Sequence, residues 1–372
     1  MPLALRNFKH RGASALLEAL VRKVYPKGFK GTCHTADAST RPFRLNDAPE
    51  LFNPERNRSF QQGSIEGFCL TDAVVWPAAG AVATATGNLI NEAFFDENVR
   101  NAALRYGACG AFPFIRADAD HVATLGHFYQ NYFHRHVDSI PRVHALWHPY
   151  LRAIDRITLL VDKRFAPDEI ELIRALIPTN VHLQMVTTEL CRIRAKCYIH
   201  LPFLSRRRTT EFRWWVNCAG YLPQEYLEFL RNRVRAKYAL DWKSGEGRKI
   251  YVTRRGATVR RLKNEVAVVS YLEALGFECV VLEGMPLPEQ MRLFASIDVL
   301  VAQHGAALTN LLYAKPSLRV VEILSNARCQ IYESLATALG LTYQPVICDG
   351  INKNDDVTVP LDLLAAAIGS LA

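Results

Sequence analysis

The chain contains no stretch of about 18 apolar residues, so nothing in it reads as a membrane-spanning helix. Its nine cysteines are scattered from Cys33 to Cys348, odd in number and never spaced Cys-x-x-Cys. That pattern argues against a disulfide framework and a structural zinc site, and it suits a reducing compartment. Residues 1–31 lack the long apolar core of a signal peptide. No Gly-x-Gly-x-x-Gly follows a first strand, which argues against a dinucleotide oxidoreductase. No Asp-x-Asp follows a strand either, so no acidic pair is offered to a cation at a strand tip. The basic residues are not interleaved with aromatics in the manner of an RNA or DNA module, so nucleic acid is not the expected partner. The net charge of +9 then points to other anions: a charged sugar donor, a polymer or a lipid headgroup.

What is present fits a globular protein of 372 residues, enough for two ordinary domains. The first part is irregular: Arg41–Gln62, rich in Asn, Pro and Arg, reads as loop. Before it, Arg6, Lys9, Arg11, Arg22, Lys23, Lys27 and Lys30 surround Leu16, Leu17, Leu20 and Val21. Two readings stay open for that segment: a solvated terminal helix, or a basic amphipathic helix on an anionic membrane face. Arg206-Arg207-Arg208 reads as a surface loop. Asp72–Pro77 and Ala81–Thr84 look like short strands of a hairpin at a domain edge, broken by Pro77 and Gly80.

From Ile157 onward strands and helices alternate. Strands are expected at 157–161, 181–186, 249–252, 278–282, 298–302, 319–323 and 343–347, and helices at 167–176, 223–238, 264–275, 288–296, 308–313 and 331–339. Pro167 followed by two carboxylates opens one helix, and Gly276 closes another. The polar, glycine-containing 241–247 stretch is the expected linker between two blocks. Apolar strands alternating with helices imply parallel sheets covered on both faces, hence an α/β fold of two Rossmann-like domains facing a cleft. In such sheets ligands gather at the carboxyl ends of strands.

The most informative stretch is Val299–Asn310, where an apolar strand runs into Gln303-His304-Gly305-Ala306-Ala307-Leu308-Thr309-Asn310. A strand ending this way aims unpaired N–H groups and a helix dipole at one point, which favours a phosphate. Gly305, Ala306 and Ala307 let a ligand approach the backbone, and His304 at the rim can donate to it. Thr253-Arg254-Arg255 ends another strand, with Arg260 and Arg261 close behind; arginines there can meet phosphate oxygens, or can be a solvated basic loop. Glu322 sits among valines and isoleucine, where it would accept from ribose hydroxyls or pair with an arginine. In the first block, Gly126–Arg142 gathers histidines, an aspartate and two arginines. His134 and Asp138, four apart, share a helix face as a candidate base with an orienting partner, although each histidine alone also suits a structural role. A metal is the rival, but His-x-x-x-Asp supplies only two ligands.

Taken together these motifs resemble glycosyltransferase family 61. The resemblance rests on Tyr251-Val252-Thr253-Arg254, Arg260 to Glu265, Gly276-Phe277 with Glu289-Gln290 and Phe294-Ala295, and His304 to Asn310 followed by Val321-Glu322-Ile323. Upstream, Asn131-Tyr132-Phe133-His134 through Pro141-Arg142 is similar to the acceptor-side motif. Ala307 stands where a second glycine is frequent in the family. The resemblance implies a GT-B architecture and an inverting, metal-independent transfer from a nucleotide sugar, uridine by default, to a glycan or lipid-linked glycan. It needs no cofactor. The donor would bind Arg254, Arg260, Arg261, Gln303, His304, Gly305, Ala306, Ala307, Thr309, Asn310 and Glu322. Asp138 would be the base, or His134. The expected division is an N-terminal extension (1–65), an acceptor-side domain (66–240), a nucleotide-sugar domain (248–350) and a C-terminal helix (351–372). Without signal-anchor features the chain is expected to be a bacterial, cytoplasmic enzyme of surface (capsule) polysaccharide synthesis, with peripheral association at the inner membrane as the second reading of the basic segment. A non-catalytic nucleotide- or glycan-binding protein of the same fold is the alternative.

Overall fold

A computed structural model describes residues 31–34, 38–46, 50–53, 58–61, 65–77, 80–94, 114–117, 119–126, 131–186, 191–205, 222–242, 247–325, 331–350, 352 and 354–371. The basic segment 6–30, the 206–208 run and residues 127–130 lie outside the described residues.

Two sheets organise the chain. The C-terminal one holds β13 (Lys249–Val252), β14 (Phe277–Val280), β15 (Val299–Gln303), β16 (Arg319–Ser325) and β17 (Thr342–Cys348), in the spatial order β14-β13-β15-β16-β17. Every neighbouring pair is parallel. All five residues of β15 are buried, as a central parallel strand covered on both faces requires. The order reverses between β13 and β15. This is the topological switch point, where the crevice at the strands' carboxyl ends opens. Thr253–Arg255 leaves β13 there and His304–Ala307 leaves β15 beside it.

The N-terminal sheet departs from expectation. It contains β1 (Gly31–Cys33), β2 (Thr40–Asn46), β5 (Ile65–Trp76), β6 (Ala81–Ala83), β7 (Asn88–Ile90), β8 (Phe114–Ile115), β9 (His121–Thr124), β10 (Ile157–Asp162), β11 (Val181–Val186) and β12 (Arg192–His200). A separate hairpin, β3 (Glu50–Asn53) with β4 (Arg58–Gln61), and β2 occupy the region read from sequence as loop. Only part of the sheet is parallel: β8, β12, β9, β10 and β11 run together, and β1 runs with β7. β5 is antiparallel to β12, β2 and β6, so the sheet is mixed rather than a second all-parallel Rossmann sheet. The reason is β5 itself. It is 12 residues long, and only four residues separate it from β6, a connection that only antiparallel neighbours can use. β5 consequently lies inside the sheet.

Among the described residues, the α-helices of eight or more residues are α1 (Pro167–Leu176), α2 (Gln224–Tyr238), α3 (Glu265–Ala274), α4 (Leu287–Ser296), α5 (Ile331–Ala338) and α6 (Leu361–Gly369). Pro167 supplies the pre-set φ at the start of α1, and Glu169 Oε2 accepts the Ala166 N–H at 2.8 Å. One core runs through both halves: Leu172, Leu176, Leu227 and Leu230 of α1 and α2 belong to the same cluster as Leu287, Met291, Leu308 and Leu312. Burial of each such side chain stabilises by about 1.5–3 kcal/mol, so the halves gain by staying together. Polar ties flank that seam. Asp168 accepts the Leu287 N–H at 3.0 Å, and Arg231 donates to the Ala314 carbonyl at 2.8 Å. A second cluster, with Val268, Val301, Val321 and Leu364, covers the outer face of the C-terminal sheet. Among the described residues no helix is long and apolar enough to cross a membrane.

Candidate functional site

The switch point is built around Arg254 and Gly305. A Cβ on Gly305 would lie 1.7 Å from Arg254 Nη1, so the guanidinium rests directly on the glycine backbone. Gly305 has φ 171 and ψ 174, extended backbone open to any residue, so its lack of a side chain serves space and not conformation. Arg254 Nε is buried without a hydrogen-bond partner, and among the described residues no carboxylate lies within ion-pair distance of Arg254 or Arg260. Burial, and then the charge of Arg260, pull the Arg254 guanidinium below its ordinary range. Two neighbouring cations without a partner are costly; an anion between them relieves that cost. The 3-10 helix Ala306–Tyr313 starts at the same place. Its first internal bond is Leu308 N–H to Gly305 O, so the half-exposed Ala306 and Ala307 present their amides ahead of it.

His304 stands next to this contact, fixed from behind. Its N–H donates to the Ile323 carbonyl at 2.8 Å and its Nδ1 donates to Glu322 Oε1 at 2.6 Å. Glu322 Oε2 accepts the Tyr343 hydroxyl. Glu322 is 0% exposed, and both its oxygens take protein donors, one of them the His304 ring. Arg261 is held by an acidic partner. Its guanidinium pairs with Asp356 at 3.0 Å, which also takes Lys263 at 2.8 Å, and this pins the 354–357 segment. Arg260, in the left-handed region at φ 55, makes no such pair and keeps its side chain near Arg254. Gln303 and Thr309 are buried, and the Asn310 amide donates to Gln290 Oε1 at 2.8 Å.

The first-block motif meets this region from the other half. His134–Ser139 is a π-helical turn, and His134 Nδ1 lies 2.5 Å from Asp138 Oδ2. Asp138 is 2% exposed, and its Oδ1 accepts the Ser205 hydroxyl at 2.5 Å. The carboxylate is thus the inner, holding member of the pair, and the imidazole is the outer one. His136 instead is structural. Its Nε2 donates to Glu169 Oε1 at 3.0 Å and its Nδ1 accepts from the Tyr313 hydroxyl at 2.7 Å, with burial, then the Glu169 bond acting against it, depressing its pKa. Arg142 is also structural: buried, it donates to the Leu201 and Gly126 carbonyls at 2.8 and 3.2 Å. Contacts continue from one half to the other. Tyr132 donates to Asn310 Oδ1 at 2.6 Å, the Phe133 ring meets Tyr332 at 5.7 Å, and Tyr332 meets His304 at 5.3 Å.

The chain matches the family model described as Glycosyltransferase 61 over residues 125–321. It belongs to glycosyltransferase family 61. No curated protein matches the chain. The matched span contains both the His134–Asp138 pair and the Arg254–Gly305 contact, and it stops one residue short of Glu322. Membership supports a sugar-transfer role and implies a nucleotide-sugar donor and a glycan acceptor for this glycosyltransferase.

Several residues of the candidate site carried no sequence signal: Ser205, Tyr332 and Tyr343 are ordinary residues of a turn, a helix and a strand, identified only by what they touch. Asp118-Ala119-Asp120 falls in the sequence between β8 (Phe114–Ile115) and β9, so an Asp-x-Asp does follow a strand, contrary to expectation; Asp120 pairs with Lys196 at 2.9 Å on the surface. Among the described residues no group of three or more His, Cys, Asp or Glu is placed to hold a metal ion.

Proposed function

We propose that this protein is an inverting, metal-independent glycosyltransferase of GT-B type. It moves a sugar from a nucleotide sugar, a UDP-sugar by default, to a hydroxyl of a glycan or lipid-linked glycan in a bacterial surface polysaccharide. The reaction takes place in the cytoplasm or at the inner face of the membrane. The observation that carries the reading is Arg254 seated on Gly305, with no carboxylate within ion-pair distance among the described residues, at the switch point of a parallel sheet.

The chemistry follows from the two halves. The acceptor O–H gives its proton to the His134 imidazole, whose Nδ1 is held by Asp138, itself held by Ser205. The freed oxygen forms a bond to the anomeric carbon on the face opposite the leaving group, and the bond from that carbon to the β-phosphate oxygen breaks. The electron pair leaves with the nucleoside diphosphate. Arg254, Arg260, His304 and the Ala306 and Ala307 amides meet the charge that develops there. This is the preorganised electrostatic term that usually dominates such catalysis. In this reading Asp138 orients and His134 takes the proton, because Asp138 spends both oxygens on protein donors.

Purified protein incubated with nucleotide sugars and glycan acceptors should release nucleoside diphosphate, with EDTA leaving the rate unchanged. Arg254→Ala should lower turnover at least 100-fold and leave the melting temperature within a few degrees. Tight nucleotide binding with no turnover would instead support the non-catalytic reading.

A further inference from the structure

Away from the reacting groups, β5, β12 and the turn between β6 and β7 form a cavity of about 420 Å³. Its charged lining is Asp72, Arg194 and Lys196, and the small residues Ala73, Ala85 and Ala195 make up most of the rest. Arg192, Arg194 and Lys196 alternate along β12 and so share one face of the sheet. The Arg192 and Arg194 guanidiniums lie 3.8 and 4.9 Å from the ring centre of the exposed Phe114. That contact steadies Arg194 and leaves its N–H donors open, since among the described residues it forms no ion pair. Lys196 does pair, with Asp120 at 2.9 Å. Asp72 is unusual in another way. Ala73 pairs with Ala195 and Thr71 with Cys197 across the antiparallel ladder, yet Asp72 between them stands at φ 52. Aspartate tolerates the left-handed region better than most residues, but inside a 12-residue strand it is strained, and such strain collects at sites that bind. Its carboxylate forms no ion pair among the described residues, although two cations line the same cavity.

We propose that this cavity binds a carboxylate-bearing sugar unit of an acidic glycan and so anchors the polymer that the protein extends. The anchoring role rests on the glycan-acceptor reading; the binding itself does not. The lining selects the ligand class. A guanidinium takes a carboxylate through paired N–H donors. The Asp72 carboxylate takes protons from sugar hydroxyls, and it would face an inorganic phosphate or a nucleic-acid backbone with a like charge. A neutral sugar would leave Arg194 unanswered, and a bare anion would leave Asp72 so. The alanines leave room for the C–H face of a sugar ring. The volume falls among those of small-molecule sites, roughly 300–1,000 Å³. The cavity is also separate from the reacting groups. His200 ends β12 on the side that leads to Ser205 and the His134–Asp138 pair. Arg194 lies six residues back along the same strand, roughly 20 Å at the rise of an extended chain. A unit held there is therefore not the unit being extended.

The test uses the full chain without donor, titrated calorimetrically with tetragalacturonate and tetraglucuronate, with a neutral tetrasaccharide, and with inorganic phosphate. The unaltered protein should bind one of the uronates at least about 10-fold more tightly than the neutral chain, as a charge-assisted contact implies. Arg194→Gln and Asp72→Asn should each weaken that binding about 10-fold, and Arg254→Ala should leave it unchanged. Asp72→Gly supplies the folding control: glycine accepts the left-handed backbone, so this variant should melt no lower than the unaltered protein while losing the same binding. Full binding in Arg194→Gln, or in an Asp72→Gly variant that melts normally, overturns the assignment. Equal binding of the neutral chain overturns the role of charge, and competition by phosphate at the same concentration as the uronate reduces the site to an anion patch and overturns the sugar. Failure of both uronates to bind the unaltered protein also overturns it. Uronate binding that behaves as expected in a protein that releases no nucleoside diphosphate from any donor would instead sink the transferase reading and leave the cavity assigned.

Discussion

Gly305→Ala is the most discriminating single change. The new methyl carbon would lie 1.7 Å from Arg254 Nη1 and 2.8 Å from its Cζ. Ordinary carbon contacts need about 3.5–4.0 Å, so the guanidinium must retreat by roughly 2 Å. The backbone need not change, because φ 171 and ψ 174 are open to alanine. The obstacle is also the free end of a flexible side chain, so the stability cost stays near the lower end of overpacking, about 1 kcal/mol, or a few degrees of melting temperature. Catalysis is far more sensitive. Displacing a positioned group by 1 Å costs about 100-fold, and removing one oriented donor costs about 100- to 1,000-fold. The expected result is therefore a kcat lowered about 100-fold in a protein that melts almost normally. The double variant with Arg254→Ala should be no slower than Arg254→Ala alone, since both changes act through one guanidinium. Initial rates of nucleoside diphosphate release, with melting curves alongside, provide the measurement. Normal turnover in Gly305→Ala, or fully multiplicative losses in the double variant, would refute the claim that the glycine exists to seat the arginine.

Three other outcomes follow from the geometry. Asp138→Asn should lower kcat by roughly 100- to 10,000-fold with nucleotide affinity within twofold of normal, measured by steady-state rates and calorimetry; a near-normal rate would remove the carboxylate from proton transfer. Glu169 is held down at about 2 because the donors His136, Arg135 and the Ala166 N–H outweigh the opposing effect of burial. With its folded value depressed, its contribution, on the order of 3 kcal/mol, is present above the ordinary glutamate value and lost as pH falls toward 2. Melting curves from pH 6 to 2 should accordingly converge for the unaltered protein and Glu169→Gln, and parallel curves would contradict this. Tyr132→Phe leaves Asn310 Oδ1 without its donor across the two halves and should cost about 1–2 kcal/mol in urea unfolding, with an unchanged result showing that the tie contributes nothing.

Much of the C-terminal half was readable because its signals are local. Apolar runs at 249–252, 299–303 and 319–325, Pro and carboxylates at helix starts, and a glycine after a strand each act on their own neighbours, so the strand–helix alternation and the loops at the strand tips could be placed without knowing the fold. The His134–Asp138 pair was visible for the same reason, since a spacing of four is a local geometric fact. Partnerships across the chain had no such trace. Arg261 looked like Arg260 until Asp356, 95 residues on, claimed it; Glu322 looked open until Tyr343 and His304 closed over it; Tyr132 and Asn310 meet across 178 residues. Strand direction in the N-terminal sheet was equally hidden, because an apolar strand reads the same whether its neighbour runs with it or against it. Local propensity and periodicity therefore determined the elements and the tips that carry chemistry, while only the folded chain, by bringing distant charges within reach of one another, decided which of those side chains are occupied in holding the site and which are left for a ligand.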